Sequence, residues 1–371
     1  MAAGRSAADT IAVYGATGYT GRLIAAELRR RGVDFVLAGR SAAKLEVVAE
    51  DVGGAPTQAV ALDDPRGLRE LLEPCAAVIA CAGPFQLHGE PVLAAAVDSS
   101  THYIDTTGEQ PFMRKVFDSY GDRAADAGVV AVTAMGFDYV PGDMIAALTA
   151  EGMDTLDELV LAYHAAGFGG SRGTALSAIG MMAGGDVEWR EGALEPASQS
   201  VSRGDFDFPE PIGRQRMVRY PAGEHITVPR HVDTRRVRTM LNASMVMPHP
   251  RLAVAAPIAM PIAQLAVRSP LRRLLEAGVA RLPEGPAPEQ RRASRFCIVC
   301  EANRGAERAG GTITGRDVYG LTARTTVQAA LECAQPGYER SGALAPSEAF
   351  DPRRFLEGLA DFGVSYEVMP A

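Results

Sequence analysis

Lysine is almost missing from this chain of 371 residues: of 37 basic side chains, only Lys44 and Lys115 are lysines. Four positions before them stand Arg40 and Pro111. A tyrosine acid activated by a lysine four residues on is therefore excluded. Cysteine is sparse as well, with Cys75, Cys81, Cys297, Cys300 and Cys333 making an odd set of 5. In so long a chain that argues against a disulfide scaffold. Cys297-Ile298-Val299-Cys300 has the spacing of half a zinc site, but no second pair exists. In a β-like run, residues three apart face opposite sides, so buried thiols and no metal are expected. There is no excess of positive charge: the formal net charge is −8, and nucleic acid is not expected as a main partner. Nor is there an apolar run of the roughly 20 residues a bilayer span needs. The longest, Leu252 to Val267, is broken by Pro257 and Pro261. It reads as core or dimer interface, as a greasy channel wall, or as a patch touching a membrane surface. No signal peptide is visible, because an Ala-rich, polar N-terminus leads straight into a strand. A cytoplasmic location is expected.

What is present begins with Gly15-Ala16-Thr17-Gly18-Tyr19-Thr20-Gly21, set between the apolar run Thr10–Tyr14 and a helical pattern over Arg22–Arg30. A strand, a tight glycine turn and a helix N-terminus form a seat for a pyrophosphate. Glycines let the backbone come close, while free N–H groups and the helix dipole favour negative charge. Gly15, Thr17, Gly18, Tyr19, Thr20 and Gly21 are accordingly expected to hold a dinucleotide. The next strand, Phe35–Gly39, ends in Arg40-Ser41, with Lys44 one turn into the following helix. An NAD site usually carries Asp or Glu at that point, accepting from the ribose 2′-hydroxyl. A guanidinium, a hydroxyl and an ammonium suit a 2′-phosphate instead. NADPH is the expected cofactor.

Strand-like and helix-like runs alternate up to about residue 150, the pattern of parallel strands with crossover helices. The expected fold class is α/β: a doubly wound, Rossmann-type parallel sheet over residues 1–150. From Leu156 the pattern changes. A strand at Leu156–Ala165, a helix from Ser171 to Met182, a polar stretch without strong period from Arg203 to Pro250, and paired strands near Ser294–Ala302 and Gly311–Val318 follow. This reads as an inserted α+β substrate or dimerisation domain over 151–320. Residues 321–371 then form a C-terminal segment returning to the first domain.

Ligands of such sheets bind beyond the carboxyl ends of the strands, so the loops there are the candidates. Asp63-Asp64 ends the third strand, and Asp63 either reaches an adenine or belongs to a helix cap before Pro65. Ala82-Gly83-Pro84-Phe85 follows the fourth, with Phe85 placed to flank a nicotinamide ring. Asp105-Thr106-Thr107-Gly108-Glu109 follows the fifth. Thr106 or Thr107 is suited to the nicotinamide ribose or carboxamide. Glu109 either orients substrate or is an early-helix carboxylate favoured by the dipole. After the sixth, Gly136-Phe137-Asp138-Tyr139-Val140-Pro141-Gly142-Asp143 contains Tyr139, the side chain able to protonate a developing enolate. No cysteine sits in the polar, glycine-flanked turn that an acyl-phosphate reductase requires.

GATGYTG at 15–21, AGRS with Lys44-Leu45, GPF at 83–85, YIDTTGE at 103–109 and GFDYVPGD at 136–143 occur in order. SRGTALS at 171–177, GPAPEQRR at 285–292, GRDVYGLTA at 315–323 and SGALAPSEAF at 341–350 continue the series. Together they resemble the saccharopine dehydrogenase-like family, in particular its trans-acting enoyl reductase branch. The resemblance implies NAD(P)H-dependent reduction of an α,β-unsaturated acyl chain, small or carrier-bound, in polyketide-type metabolism. Partners to look for are an acyl carrier protein and a second copy of the chain. The basic cluster Arg235–Arg238 reads either as a solvated face or as a dock for such an acidic carrier. Reduction of an imine and non-catalytic NADP(H) sensing are the two alternative readings.

Overall fold

The computed structural model describes residues 10–182, 185–197, 203–246, 267, 269, 271–279 and 281–371. Most of the apolar run singled out above, residues 252–266, lies outside them. The chain divides into two units. The first runs to Phe137 and resumes over Tyr319–Phe350; the second comprises Asp138–Val318 and Asp351–Ala371.

In the first unit β1 (Thr10–Tyr14), β2 (Phe35–Gly39), β3 (Thr57–Ala59), β4 (Cys75–Ala80), β5 (His102–Asp105) and β6 (Val130–Val132) alternate with helices. The helices are α1 (Tyr19–Arg30), α2 (Ala42–Asp51), α3 (Pro65–Leu72), α4 (Phe85–Asp98) and α5 (Gln110–Asp126). The strands form one parallel sheet in the order β15-β6-β5-β4-β1-β2-β3, where β15 (Gly342–Leu344) is the late strand. Ile11, Ala12, Val13, Ala77, Val78 and Ile79 are fully buried. Burial on both faces is why these strands read as unbroken apolar runs. Strand order reverses between β1 and β4, which opens the ligand crevice at their carboxyl ends.

The second unit is built on a mixed sheet in the order β10-β11-β12-β7-β13-β14-β16. Its strands are β7 (Glu158–Ala166), β10 (Arg203–Phe208), β11 (Gly213–Arg219), β12 (Val237–Asn242), β13 (Arg295–Arg304), β14 (Glu307–Arg316) and β16 (Ser365–Met369). β8 (Val187–Arg190) and β9 (Ala193–Pro196) make a separate hairpin. Of the pairings in the large sheet, only β7 with β12 is parallel. The helix α6 (Val140–Thr149) packs on β13 and β14, and α7 (Arg172–Met182) follows β7. Close approach of α6 depends on Gly311, where a Cβ would collide with Thr149 and stand 2.8 Å from Ile145 Cγ1.

Three features depart from the sequence-based expectation. The first unit ends at Phe137 and not near 150, because α6 buries its apolar face on the second sheet. The C-terminal return is split: β15 pairs with β6, whereas β16 pairs with β14. The stretch from Arg203, which shows no strong period in the sequence, forms the antiparallel ladder β10–β11–β12. Its period of two is carried by charge on one face, where Asp205 and Asp207 stand opposite Arg216 and Arg214, while Phe206, Phe208 and Met217 are buried on the other. Cys297 and Cys300 are both buried, in β13. Their neighbours in β7 are His164 and Leu161, three apart like the cysteines themselves, so the thiols face opposite sides of the sheet. No helix of the described residues is long and apolar enough to cross a membrane.

Gly311→Ala is expected to destabilise the protein by about 1–3 kcal/mol through overpacking. Urea denaturation should show it as a lower midpoint at unchanged slope.

Candidate dinucleotide site

After β1 the chain turns sharply. Gly15 has φ +89°, and both Gly15 N and Ala16 N donate to Ala38 O at 2.9 and 3.2 Å, while Gly18 N donates back to Gly15 O at 3.0 Å. A Cβ on Gly15 would stand 2.8 Å from Ala82 N, and one on Gly21 would stand 2.7 Å from Ala16 Cα. Those two glycines are required by the crossing of β1, α1 and the β4 loop. Gly18 is exposed and less crowded, its nearest neighbour for a Cβ being Gly15 O at 3.4 Å. It forms the N-cap of α1 without any side-chain cap, and no acidic residue lies in the first turn. The leading N–H groups of α1 have no intrahelical acceptor, and a side-chain-free approach leads to them. Such a cradle fits a pyrophosphate. Thr17 and Thr20 are half-buried beside it, and Tyr19 packs edge-on against Tyr319 at 5.1 Å.

Arg40 and Lys44 are exposed at the end of β2 and the start of α2. Among the described residues no carboxylate forms an ion pair with either, although nineteen such pairs occur elsewhere. Ser41 is the N-cap of α2, again with no side-chain bond to the helix. Two uncompensated cations and an available hydroxyl match a 2′-phosphate. Beneath them the buried Tyr14 hydroxyl donates to Val60 O at 2.9 Å. Burial raises its pKa, partly offset by the Arg40 charge. The two readings of the Asp63-Asp64 pair divide between its members: Asp64 caps α3 by accepting from Gly67 N at 2.9 Å, while Asp63 stays exposed.

The β4 and β5 loops correct one expectation, for Phe85, and decide between the alternatives left open for Glu109 and for Thr106 and Thr107. Ala82 backs onto Gly15, Gly83 is exposed and Pro84 is the N-cap of α4, so these remain at the rim. Phe85, however, is 5% exposed and packs on Phe112 at 5.7 Å in the core, turned away from any ring at the rim. Glu109 is 1% exposed, with Oε1 accepting from Phe85 N (2.9 Å) and Oε2 from Gln86 N (3.0 Å). It brackets the start of α4, where the dipole favours a carboxylate, and its oxygens are not offered to a substrate. Thr107 is also buried, its hydroxyl accepting from Glu109 N at 3.0 Å; the half-buried Thr106 is the more open of the two hydroxyls. Asp105, fully buried, anchors the loop by accepting from Thr107 N and Ala134 N at 2.9 Å each and from Thr133 Oγ1 at 3.1 Å. Burial pushes its pKa up to about 6 against those bonds.

Tyr139 belongs to the second unit, as the N-cap of α6. Its hydroxyl lies 3.4 Å from that of Tyr220, which also contacts Met181 Sδ at 3.4 Å. Burial holds the Tyr139 phenol well above its usual pKa. Next to this pair, Tyr163 donates to Glu224 Oε1, and a Cβ on Gly142 would collide with both. Glu224 is fully buried, and burial pushes its pKa to about 8, so it keeps its proton at neutrality. Asp143, also fully buried, meets His231 Nε2 at 2.9 Å. His225 Nδ1 accepts from Trp189 N at 3.1 Å, which leaves the proton on Nε2 for Thr239 Oγ1. Burial lowers its pKa to about 3. Tyr220, Glu224 and Tyr163 went unrecognised in the sequence: the first two come from a stretch without strong period or motif, and Tyr163 reads as one more residue of the strand at Leu156–Ala165.

A doubly wound sheet, a glycine cradle at a helix N-terminus and free cations at the second strand define the class of NADP-type dinucleotide-binding domains. Residues 11–132 match the family model described as the saccharopine dehydrogenase NADP binding domain. A provisionally named trans-acting enoyl reductase of Mycobacterium tuberculosis is 35% identical over 207 residues, 52% of this chain and 49% of that one. The human saccharopine dehydrogenase-like oxidoreductase is 32% identical over 152 residues, 36% of this chain and 35% of that one. The chain thus spans about half the length, or less, of the relatives it matches. Among solved structures, the saccharopine dehydrogenase (L-Glu forming) of Saccharomyces cerevisiae aligns over 97% of this chain and 100% of its own. Its TM-score is 0.57 at 14% identity, a likeness of fold.

Replacing Arg40 by Ala should weaken NADPH binding about 10- to 100-fold, the worth of a charge-assisted bond, and leave NADH nearly unchanged. Titration of nicotinamide fluorescence checks this, and equal loss for both cofactors would remove the 2′-phosphate assignment. Glu224 binds a proton more tightly folded than unfolded, where its pKa is near the ordinary carboxylate value of about 4.3. Its contribution to stability is full below that value and is lost as pH rises through about 8. Glu224→Gln should flatten the fall in urea midpoint over this window, an effect on the order of a few kcal/mol.

Proposed function

We propose that this protein is an NADPH-dependent reductase acting on an activated C=C bond of an acyl substrate. The observation that carries the cofactor is the combination of the Gly15–Gly21 cradle with Arg40 and Lys44, neither paired with a carboxylate among the described residues. Bound NADPH supplies a hydride. The leading N–H groups of α1 would hold its pyrophosphate and Arg40, Ser41 and Lys44 its 2′-phosphate, with Asp63 and Ala82–Pro84 at the same rim. Thr106 offers a hydroxyl at the same sheet edge, on a loop stiffened by Asp105, Thr107 and Glu109.

Addition of hydride to the β-carbon of an enoyl thioester leaves an enolate that needs a proton. Tyr139, backed by Tyr220 in a dry environment, is the group assigned to give it. A high phenol pKa keeps the proton in place until a strongly basic oxygen or carbon is there to take it. The relatives named trans-acting enoyl reductases support the acyl substrate class. A carrier protein is then the natural vehicle for that chain.

NADPH oxidation, followed with short enoyl thioesters beside cyclic imines, tests the reading. Turnover of the thioesters is expected. Turnover of imines alone would assign C=N reduction, and tight NADPH binding with no turnover would favour a sensor. Tyr139→Phe should lower kcat by at least about 100-fold at unchanged NADPH affinity; an unchanged pH–rate profile would remove Tyr139 as the acid.

A further inference from the structure

The helix Arg272–Val279 in the second unit buries none of its residues. Leu271, Leu274 and Leu275 are 54%, 70% and 42% exposed, and Leu282, in the turn that follows, is 50% exposed. Four of the eight exposed large apolar side chains among the described residues therefore fall in one short stretch. At a helical spacing of three and four, Leu271, Leu274 and Leu275 share one side. This is not a frayed end: the Arg172 guanidinium donates to Leu282 O at 2.7 and 3.2 Å, and Arg172 N donates to Glu284 O at 3.0 Å.

The charge beside the leucines is positive. Arg272 is paired with Glu276 at 2.7 Å, whereas Arg273 and Arg281 are exposed and pair with no carboxylate among the described residues. Cationic flanks on a leucine face run against a chain of net charge −8. A purely apolar partner gives no reason for them. Anionic phospholipid headgroups over an acyl layer do, since leucines enter the layer while arginines stay at headgroup level. In sequence the apolar run Leu252–Val267 precedes the helix, separated from it by Arg268, Ser269, Pro270 and Leu271.

We propose that the helix Arg272–Val279 with Leu271 and Leu282 is a docking surface for an anionic phospholipid membrane, lying in the interface plane. Leu271, Leu274 and Leu275 insert, and Arg273 and Arg281 contact phosphates. The inference stands apart from the reading of the reaction, since it uses no residue of the dinucleotide site.

Flotation of the full-length protein with vesicles of phosphatidylglycerol and phosphatidylcholine, against phosphatidylcholine alone, tests it. Binding is expected to the anionic vesicles and to weaken with salt. Leu274→Asp together with Leu275→Asp should reduce it at least about tenfold, and Arg273→Gln or Arg281→Gln about fivefold each. An unchanged urea midpoint in every variant shows that the unit carrying the helix keeps its fold. Failure of the wild-type protein to float, or equal flotation of the leucine variants, overturns the proposal. So does protection of a Leu274→Cys thiol from labelling without vesicles, which would mean that the chain's own residues or a second copy cover the face.

Discussion

The ends of β1 and β4 come so close that no side chain fits between them. Gly15 lies against Cys81 and Ala82, and Gly21 lies against the turn that Gly15 begins. Much of the first unit follows from this contact. It sets the angle at which α1 leaves the sheet, aims the N-terminus of α1 at the crevice, and places the β4 loop at the rim. The sheet supplies rigidity because its central strands are buried on both faces. The glycines supply the one place where a ligand's phosphates replace side chains.

Around that contact the polar groups sort by solvent access. Asp105, Thr107 and Glu109 point inward and serve the backbone, whereas Arg40, Lys44 and Asp63 point outward. Carboxylates that satisfy N–H groups of a loop or helix start make a stiff rim. Cations with no carboxylate partner among the described residues leave a charge for a ligand to answer. The second unit keeps its acids in a different state: burial raises Glu224 so that it is held neutral beside Tyr163. A neutral acid and two phenols fit an environment that excludes water.

The first unit was largely legible in the sequence, because its signals are local. A glycine turn between two periodic runs, and a basic pair where an acid would stand, need no distant partner. Phe85 misled for a physical reason. As the opening residue of α4 its ring had two directions available, and the choice was made by Phe112, packed beneath Gly89. Glu109 was open between two readings until its acceptor contacts with α4 appeared, 23 and 24 residues earlier in the chain. The ladder from Arg203 was missed because its alternating charges look like solvated coil until β11 and β12 line up beside them. Tyr220 and Glu224 gain their meaning only from Tyr139 and Tyr163, 81 and 61 residues away.

The chain passes from one unit to the other after Phe137, Val318 and Phe350. Neither unit is therefore a contiguous stretch of gene. As the protein emerges from the ribosome, the first sheet must wait with the edge of β6 uncovered until β15 arrives, some two hundred residues later. An unpaired strand edge is a template for wrong partners. The thread that closes the nucleotide unit is thus also its timing element, and a nascent chain stalled inside the second unit is the species that a chaperone would have to shield.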